Sequence, residues 1–309
     1  MFHLNKNFFF LLAILCFVFF SCNQQKADID PVAALYSNTQ VIGDIVYKTI
    51  GNKKLALDAY VPAIRLGGPV SWVRYTDTLK PALLFLHGGG WTSGSKVSRS
   101  LFVMPFVQAG YIVVTSDYRH LPEASLPEII SDTRAAIRWI YLNSDKYKID
   151  TNRIFVSGES AGGHLALMDG ALSESDLFPP DSTPLNRKLK VAGVINWFGV
   201  ADLVHASETW DQTYKNIVAG KDSLDPIPLF KKCSPVTYIN KNTVPILTIH
   251  GSEDKAANYD QAILLNKLLD SLGTKHTFWT IQGKKHGDFS PIEMTEATQQ
   301  IWKFIHSIQ

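Results

Sequence analysis

Cysteine is scarce in this 309-residue chain: there are three, Cys16, Cys22 and Cys233. Two of them lie within the first 22 residues, so a domain that begins after them keeps Cys233 alone and cannot close an internal disulfide. No Cys/His cluster has the spacing of a metal site, which argues against a structural zinc. A dominant charge is missing too. Lys and Arg number 30 against 28 Asp and Glu, a net charge of +2 with no dense basic block. The chain therefore lacks the electrostatic footprint of a nucleic-acid-binding protein. Its longest apolar run, residues 8–20, falls short of the ~20 residues that span a bilayer. What remains, 46% hydrophobic and 19% charged, is an ordinary globular balance with apolar side chains enough for one large core.

The first residues read as an address rather than as fold. A basic Lys6, the apolar run and then Ser21-Cys22 have the layout of a signal peptide over residues 1–21. A small residue directly before Cys22 resembles a bacterial lipobox, although Phe19 and Phe20 are bulkier than that pattern usually holds. Cleavage there would leave Cys22 as a lipid-modified N-terminus, anchored to a membrane without spanning it. Polar residues 22–37 would be the tether. An ordinary secretion signal with an incidental Cys22 is the alternative. Either way the expectation is an exported protein whose globular domain covers residues 38–309.

From residue 38 onward, apolar runs alternate with helical patterns. "VIGDIVYKTI" and "KLALDAYVPA" form a leading pair joined by a hairpin turn. "PALLFLH", "GYIVVTSDY", "RIFVSG", "VAGVINWF", "VPILTIHG" and "HTFWTIQG" follow, short and continuously apolar, as strands buried on both faces should be. Between and after them, residues 126–143, 261–273 and 293–308 repeat apolar side chains at helical spacing, with Gly273 placed to cap the second helix. The pattern predicts an α/β domain of about eight strands, mostly parallel, with helices on both faces of the sheet and an antiparallel edge. The stretch before "PALLFLH" reads as a long connection. The Pro-rich segment after residue 172 and residues 207–230 belong near the mouth of any site.

Four loops at strand ends carry chemistry. Gly158-Glu159-Ser160-Ala161-Gly162 fits G-x-S-x-G between a strand and a helix, a sharp corner that can expose Ser160 over a helix N-terminus. A serine hydroxyl needs a base held by a third group. His286, in the Gly-bounded loop "QGKKHGDF", is the candidate base, whereas His276 and His306 sit in a strand start and a helix. Asp254, after the buried "VPILTIHG", is the candidate acid and Asp202 its competitor. Gly88, Gly89 and Gly90 follow another buried strand. Their side-chain-free backbone can approach a substrate oxygen, so Gly89 and Gly90 with the Ala161 N–H are the candidate oxyanion donors, and Gly88 a further one. His87 would pin that loop and His164 would pack inside a helix. Trp91, Glu159 and Trp197 are candidates for the substrate pocket.

Together "HGGGW", "SDYRHLPEASLPEIISDTRAAIRWI", "GESAGGHLAL", "IHGSED" and "KKHGDF" resemble α/β-hydrolase esterases of the feruloyl-esterase-like (BD-FAE) and hormone-sensitive-lipase-like families, over nearly all of residues 38–309. The resemblance implies an α/β-hydrolase fold with Ser160 as nucleophile, His286 as base and Asp254 as acid. It also implies an ester substrate, a small molecule or an acetylated or feruloylated carbohydrate, and no metal or organic cofactor. Glu159 stands where many hormone-sensitive-lipase-like members have Asp, which favours the feruloyl-esterase side. An amide hydrolase of the same fold, or a non-catalytic binding protein built on it, are the competing readings.

Overall fold

A computed structural model describes residues 39–308 apart from 67–71, 76, 99, 181–184, 186 and 221–222. The signal peptide, Cys22 and the tether lie outside the described residues. A hairpin of β1 (Thr39–Ile50) and β2 (Lys53–Leu66) opens the domain, followed by β3 (Trp72–Tyr75) and β4 (Lys80–Leu86). Helix α1 (Ser100–Gln108), β5 (Ile112–Ser116), α2 (Leu126–Leu142), α3 (Ser144–Tyr147), β6 (Ile149–Glu159) and α4 (Ala161–Ala171) come next. After β7 (Gly193–Trp197), three short helices α5 (Leu203–Ser207), α6 (Gln212–Ala219) and α7 (Ile227–Lys232) fill the segment expected near the mouth of the site. Strand β8 (Ile246–Gly251), α8 (Asp260–Leu272), β9 (His276–Ile281) and α9 (Pro291–Ile308) complete the described chain.

The strands form one sheet in the order β1-β2-β5-β4-β6-β7-β8-β9. Pairing is antiparallel for β1·β2 and β2·β5 and parallel from β5 across to β9. This is the predicted α/β-hydrolase arrangement with one addition. Strand β2 runs on to Leu66 and pairs Ala63, Ile64, Arg65 and Leu66 with β3, inside the stretch read as a plain connection.

The central strands are buried throughout, which is why their sequences read as unbroken apolar runs rather than alternating ones. Side chains on one sheet face pack with α2, α4 and α8 (Ile137, Leu165, Leu269). Those on the other pack with α1 and α9 (Phe106, Ile301, Phe304). Leu84 is wholly buried on β4, and its truncation to alanine would cost about 2–5 kcal/mol through lost burial and the cavity left behind. Helix α2 starts on a Ser-x-x-Glu box in which the Glu128 carboxylate accepts the Ser125 backbone N–H at 2.8 Å. Helix α8 stops at Gly273 in the left-handed conformation, as its position predicted.

The strand order reverses around β4, whose neighbours β5 and β6 leave it in opposite directions along the sheet. A crevice opens beyond the carboxyl ends of strands at such a point. Register decides what fills it. Leu86 pairs with Gly158, so the loop after β4 lies beside the turn after β6. Gly251 pairs with Ile281, which brings the loops carrying Asp254 and His286 to the same edge.

Candidate active site

Ser160 occupies the corner between β6 and α4 with φ 53° and ψ −118°, a conformation that side chains other than glycine rarely adopt. The corner is held from several sides. The Ser160 N–H donates to the Trp197 carbonyl at 2.9 Å. A Cβ on Gly162 would lie 2.1 Å from the Leu86 carbonyl oxygen, so only glycine lets α4 approach β4 this closely. Ala161 opens α4, where the backbone N–H has no acceptor within the helix.

The loops after β8 and β9 complete a hydrogen-bonded relay. Ser160 Oγ donates to His286 Nε2 at 2.8 Å, and His286 Nδ1–H donates to Asp254 Oδ2 at 2.7 Å. An ionised carboxylate only accepts, so Asp254 fixes the tautomer that leaves Nε2 free to take a proton. Asp254 is itself firmly held: its Oδ1 accepts the Ala256 and Ala257 N–H groups at 2.8 and 3.1 Å. Its Oδ2 lies 3.0 Å from Nε2 of a second histidine, His250. Burial by itself raises the Asp254 carboxyl, but hydrogen bonds from His250 and His286 outweigh it and hold the group well below the usual carboxylate range. Asp202, the competing acid, is elsewhere, accepting the Val204 and His205 N–H groups as the N-cap of α5.

The glycine loop after β4 is tied down along its length. The Gly88 N–H donates to the Glu159 carboxylate at 3.3 Å, so Gly88 is engaged there. The Trp91 indole N–H donates to His164 Nδ1 at 3.2 Å, and His164 Nε2–H donates to the Cys233 carbonyl at 2.7 Å. His87 donates from Nδ1 to the Gly88 carbonyl and stacks on Tyr118, whose hydroxyl donates back to the His87 carbonyl. Burial pulls both His87 and His164 down to about 4, so these imidazoles serve as neutral braces. At the far end Lys96 is buried against Asp58 and Asp44, while its backbone N–H donates to Asp117.

A cavity of about 620 Å³ opens over Ser160, bounded by the glycine loop, Ala161 and His286. Trp91 and Glu159 line it as expected. Trp197 does not: its ring is buried against Phe102 and Phe289, and what it gives the site is the carbonyl that holds Ser160. The aromatic walls come instead from Phe102, Phe198, Trp210 and Tyr214. Tyr214, on α6, also donates to the Gly90 carbonyl at 3.3 Å. A second, open cavity of about 760 Å³ shares Ala256 and His286 with the first, and Ser252, Glu253, Lys255, Asn258 and Lys285 are among its walls. Among the described residues there is no group of three or more His, Cys, Asp or Glu placed to hold a metal, and no helix long and apolar enough to cross a membrane.

Sequence alone left three of these parts unseen. His250 lies within "IHGSED", but nothing in its spacing tells a core histidine from one that meets the Asp254 carboxylate. Phe102 and Tyr214 belong to helices α1 and α6, whose sequences give no sign of the β4 loop they cover.

Comparison with known proteins places the chain among esterases. Isoprenylcysteine alpha-carbonyl methylesterase from Arabidopsis thaliana is 26% identical over 82% of this chain and 58% of its own length. Esterase LipC from Mycobacterium tuberculosis is 31% identical over 62% of this chain and 49% of its own. The chain thus spans about half the length of these curated relatives, or somewhat more. A solved truncated form of a carbohydrate esterase from gut microbiota superposes with a TM-score of 0.73 at 26% identity, covering 87% of this chain and 98% of that one. The BD-FAE family model matches residues 73–269, and the chain belongs to this family of α/β-hydrolase esterases.

Proposed function

We propose that the protein is a serine carboxylic-ester hydrolase in which Ser160, His286 and Asp254 form the catalytic triad and Gly89, Gly90 and Ala161 the oxyanion hole. The observation that carries this reading is the relay from Ser160 through His286 to the buried Asp254, beside a glycine loop held by β6, α4 and α6. Ser160 Oγ attacks the ester carbonyl carbon as His286 Nε2 takes its proton. The carbonyl oxygen becomes an oxyanion facing the three backbone N–H groups. The bond to the leaving oxygen then breaks, and His286 gives that oxygen the proton. Water, deprotonated by the same nitrogen, attacks the acyl-enzyme; the acid leaves and Ser160 recovers its proton.

The substrate class in this reading is a short acyl ester, such as an acetate, on a polyhydroxylated alcohol. The leaving alcohol has to lie within reach of His286, and the cavity that adjoins His286 is lined with hydrogen-bonding side chains suited to hydroxyl groups. The likeness to the truncated carbohydrate esterase, over 98% of that solved chain, supports the same class. Export, with lipid on Cys22, belongs to the reading as well, and Cys22→Ser should abolish incorporation of labelled fatty acid.

The deciding experiment combines turnover and labelling. The wild-type protein should hydrolyse p-nitrophenyl acetate and acetylated oligosaccharides, hydrolyse the matched amides far more slowly, and take up one fluorophosphonate at Ser160. Ser160→Ala should fold normally and do neither. Turnover retained by Ser160→Ala would overturn the assignment.

A further inference from the structure

His250 is wholly buried at the end of β8, one residue before the strand ends, and is rigidly held. Phe198 and Tyr259 meet its ring edge-on at 6.4 and 5.7 Å. Its Nε2 lies 2.8 Å from the Ala257 carbonyl and 3.0 Å from Asp254 Oδ2, the oxygen that also receives His286. A carbonyl and a carboxylate both accept, so Nε2 carries the hydrogen and shares it between them. The other ring nitrogen, Nδ1, is buried without a hydrogen-bond partner. A proton there would leave a desolvated N–H donor unsatisfied, at a cost of about 1–3 kcal/mol, so the ring is held as the neutral Nε2–H tautomer.

Asp254 therefore accepts four N–H groups, two from backbone on Oδ1 and two from imidazoles on Oδ2. A carboxylate oxygen that shares its electron density between two donors holds each less strongly than one that serves a single donor. Resting on the triad reading above, we infer that His250 is a positioning residue of the relay: its Nε2–H fixes the Asp254 carboxylate and tempers its pull on His286, so that His286 releases its proton, and is ready to act as base, at lower pH.

The surroundings leave His250 well placed to control this pull. Around His250 the titratable neighbours are Asp254, Tyr259 and, across the shared Asp254 Oδ2, His286, and the Tyr259 hydroxyl is occupied by Thr280 on β9. Around His286, the cavity beside the Asp254 loop contributes Glu253, Lys255, Asp260 and Lys285, and the cavity over Ser160 contributes Glu159 and Asp211. None of these is altered by changing His250.

Two variants and one spectrum test the inference. His250→Leu removes the donor and should move the acid limb of the kcat/KM profile upward by about half a pH unit, with kcat at pH 7 lowered by no more than about threefold and KM unchanged. His250→Gln retains an N–H directed at the same acceptor and should return the limb to its wild-type position. Rates are normalised to the fraction of Ser160 that takes the fluorophosphonate label, so partial unfolding does not imitate the effect. An unshifted acid limb in both variants would leave His250 with a packing role alone and overturn the inference. If His250→Leu fails to fold, nitrogen-15 NMR of the wild-type protein decides. The inference requires the His250 ring to be the neutral Nε2–H tautomer at pH 7; the Nδ1–H tautomer or an imidazolium overturns it. Failure of the wild-type protein to label at Ser160 would instead refute the triad, a result distinct from either outcome for His250.

Discussion

Replacing Gly89 with alanine tests the glycine loop at its least forgiving position. Gly89 sits at φ +121°, where a side chain is strained, and an added Cβ would lie 2.2 Å from the Ser93 carbonyl oxygen. That oxygen is backbone in the same tight turn, which the Gly89 carbonyl closes by accepting the Thr92 and Ser93 N–H groups. Ordinary contact begins near 3.4 Å, so the loop must open by more than 1 Å. An N–H displaced that far no longer meets the oxyanion, and loss of one such donor costs roughly 10²–10³ in kcat, or about 3–4 kcal/mol. Gly90→Ala is the control. Gly90 lies at φ +59°, which an alanine reaches for about 1–2 kcal/mol. Its Cβ would meet only the end of a side chain, the Tyr214 hydroxyl, at 3.0 Å. Gly90→Ala should be far milder and be relieved by adding Tyr214→Phe. The assay is p-nitrophenyl acetate turnover on each variant, with thermal unfolding to show that the domain is intact. A folded Gly89→Ala enzyme whose kcat lies within about threefold of wild type would refute the oxyanion assignment of this loop.

Four further outcomes follow from named contacts. Asp254→Asn should lower kcat by about 10⁴ by holding the wrong imidazole tautomer. Asp202→Asn, which alters a helix cap able to tolerate either residue, should leave activity near wild type in the same assay. Lys96→Met strands Asp58 and Asp44 without their cation, and because burial already raises Asp58, the loss, about 3–5 kcal/mol, should be larger at pH 8 than at pH 4 in urea unfolding. Asp169 on α4 is raised to about 7 by burial, only partly offset by Arg134 and Thr133. The folded chain therefore keeps a proton that the unfolded chain releases near 3.8, and stability falls as pH rises from there to about 7. Asp169→Asn should match wild type at pH 4 and exceed it at pH 8 by up to about 4 kcal/mol, read from urea midpoints; equal midpoints at pH 8 would refute the buried-charge account.

What could be read from the sequence was whatever repeats or punctuates the chain. Strands β4, β5, β7 and β8 show as unbroken apolar runs because both faces of the sheet are covered. The glycine loop, the Ser160 corner and the loops of Asp254 and His286 stand directly after strands, where the reversal of strand order makes their meeting a matter of topology. Helix α1 escaped for a physical reason: "SLFVMPFVQ" is apolar on most sides and carries Pro105 inside, so no single face stands out. Strand β3 has four residues and exists by pairing with a strand already extended. Trp197 was misplaced because position after a strand does not say which way a ring turns. Gly88 was offered as a donor because the Glu159 carboxylate that takes its N–H is a contact between two loops, invisible along the chain.

Burial divides the histidines of this domain by task, and the division explains why one of them can act as base. His87, His164 and His250 are each almost or fully buried, and each has a ring nitrogen committed to a backbone carbonyl. Two of them brace the glycine loop, and the third meets the acid. None is open to solvent, and an added charge on any would be desolvated. His286 is different: its side chain is 28% exposed, it borders both cavities, and its two nitrogens face a hydroxyl and a carboxylate. It can gain a proton because Asp254 balances the charge, and lose it because the cavity opens to solvent and substrate. In the proposed mechanism proton transfer falls to the one imidazole of these four that the fold leaves partly open, while the closed three keep its partners in place.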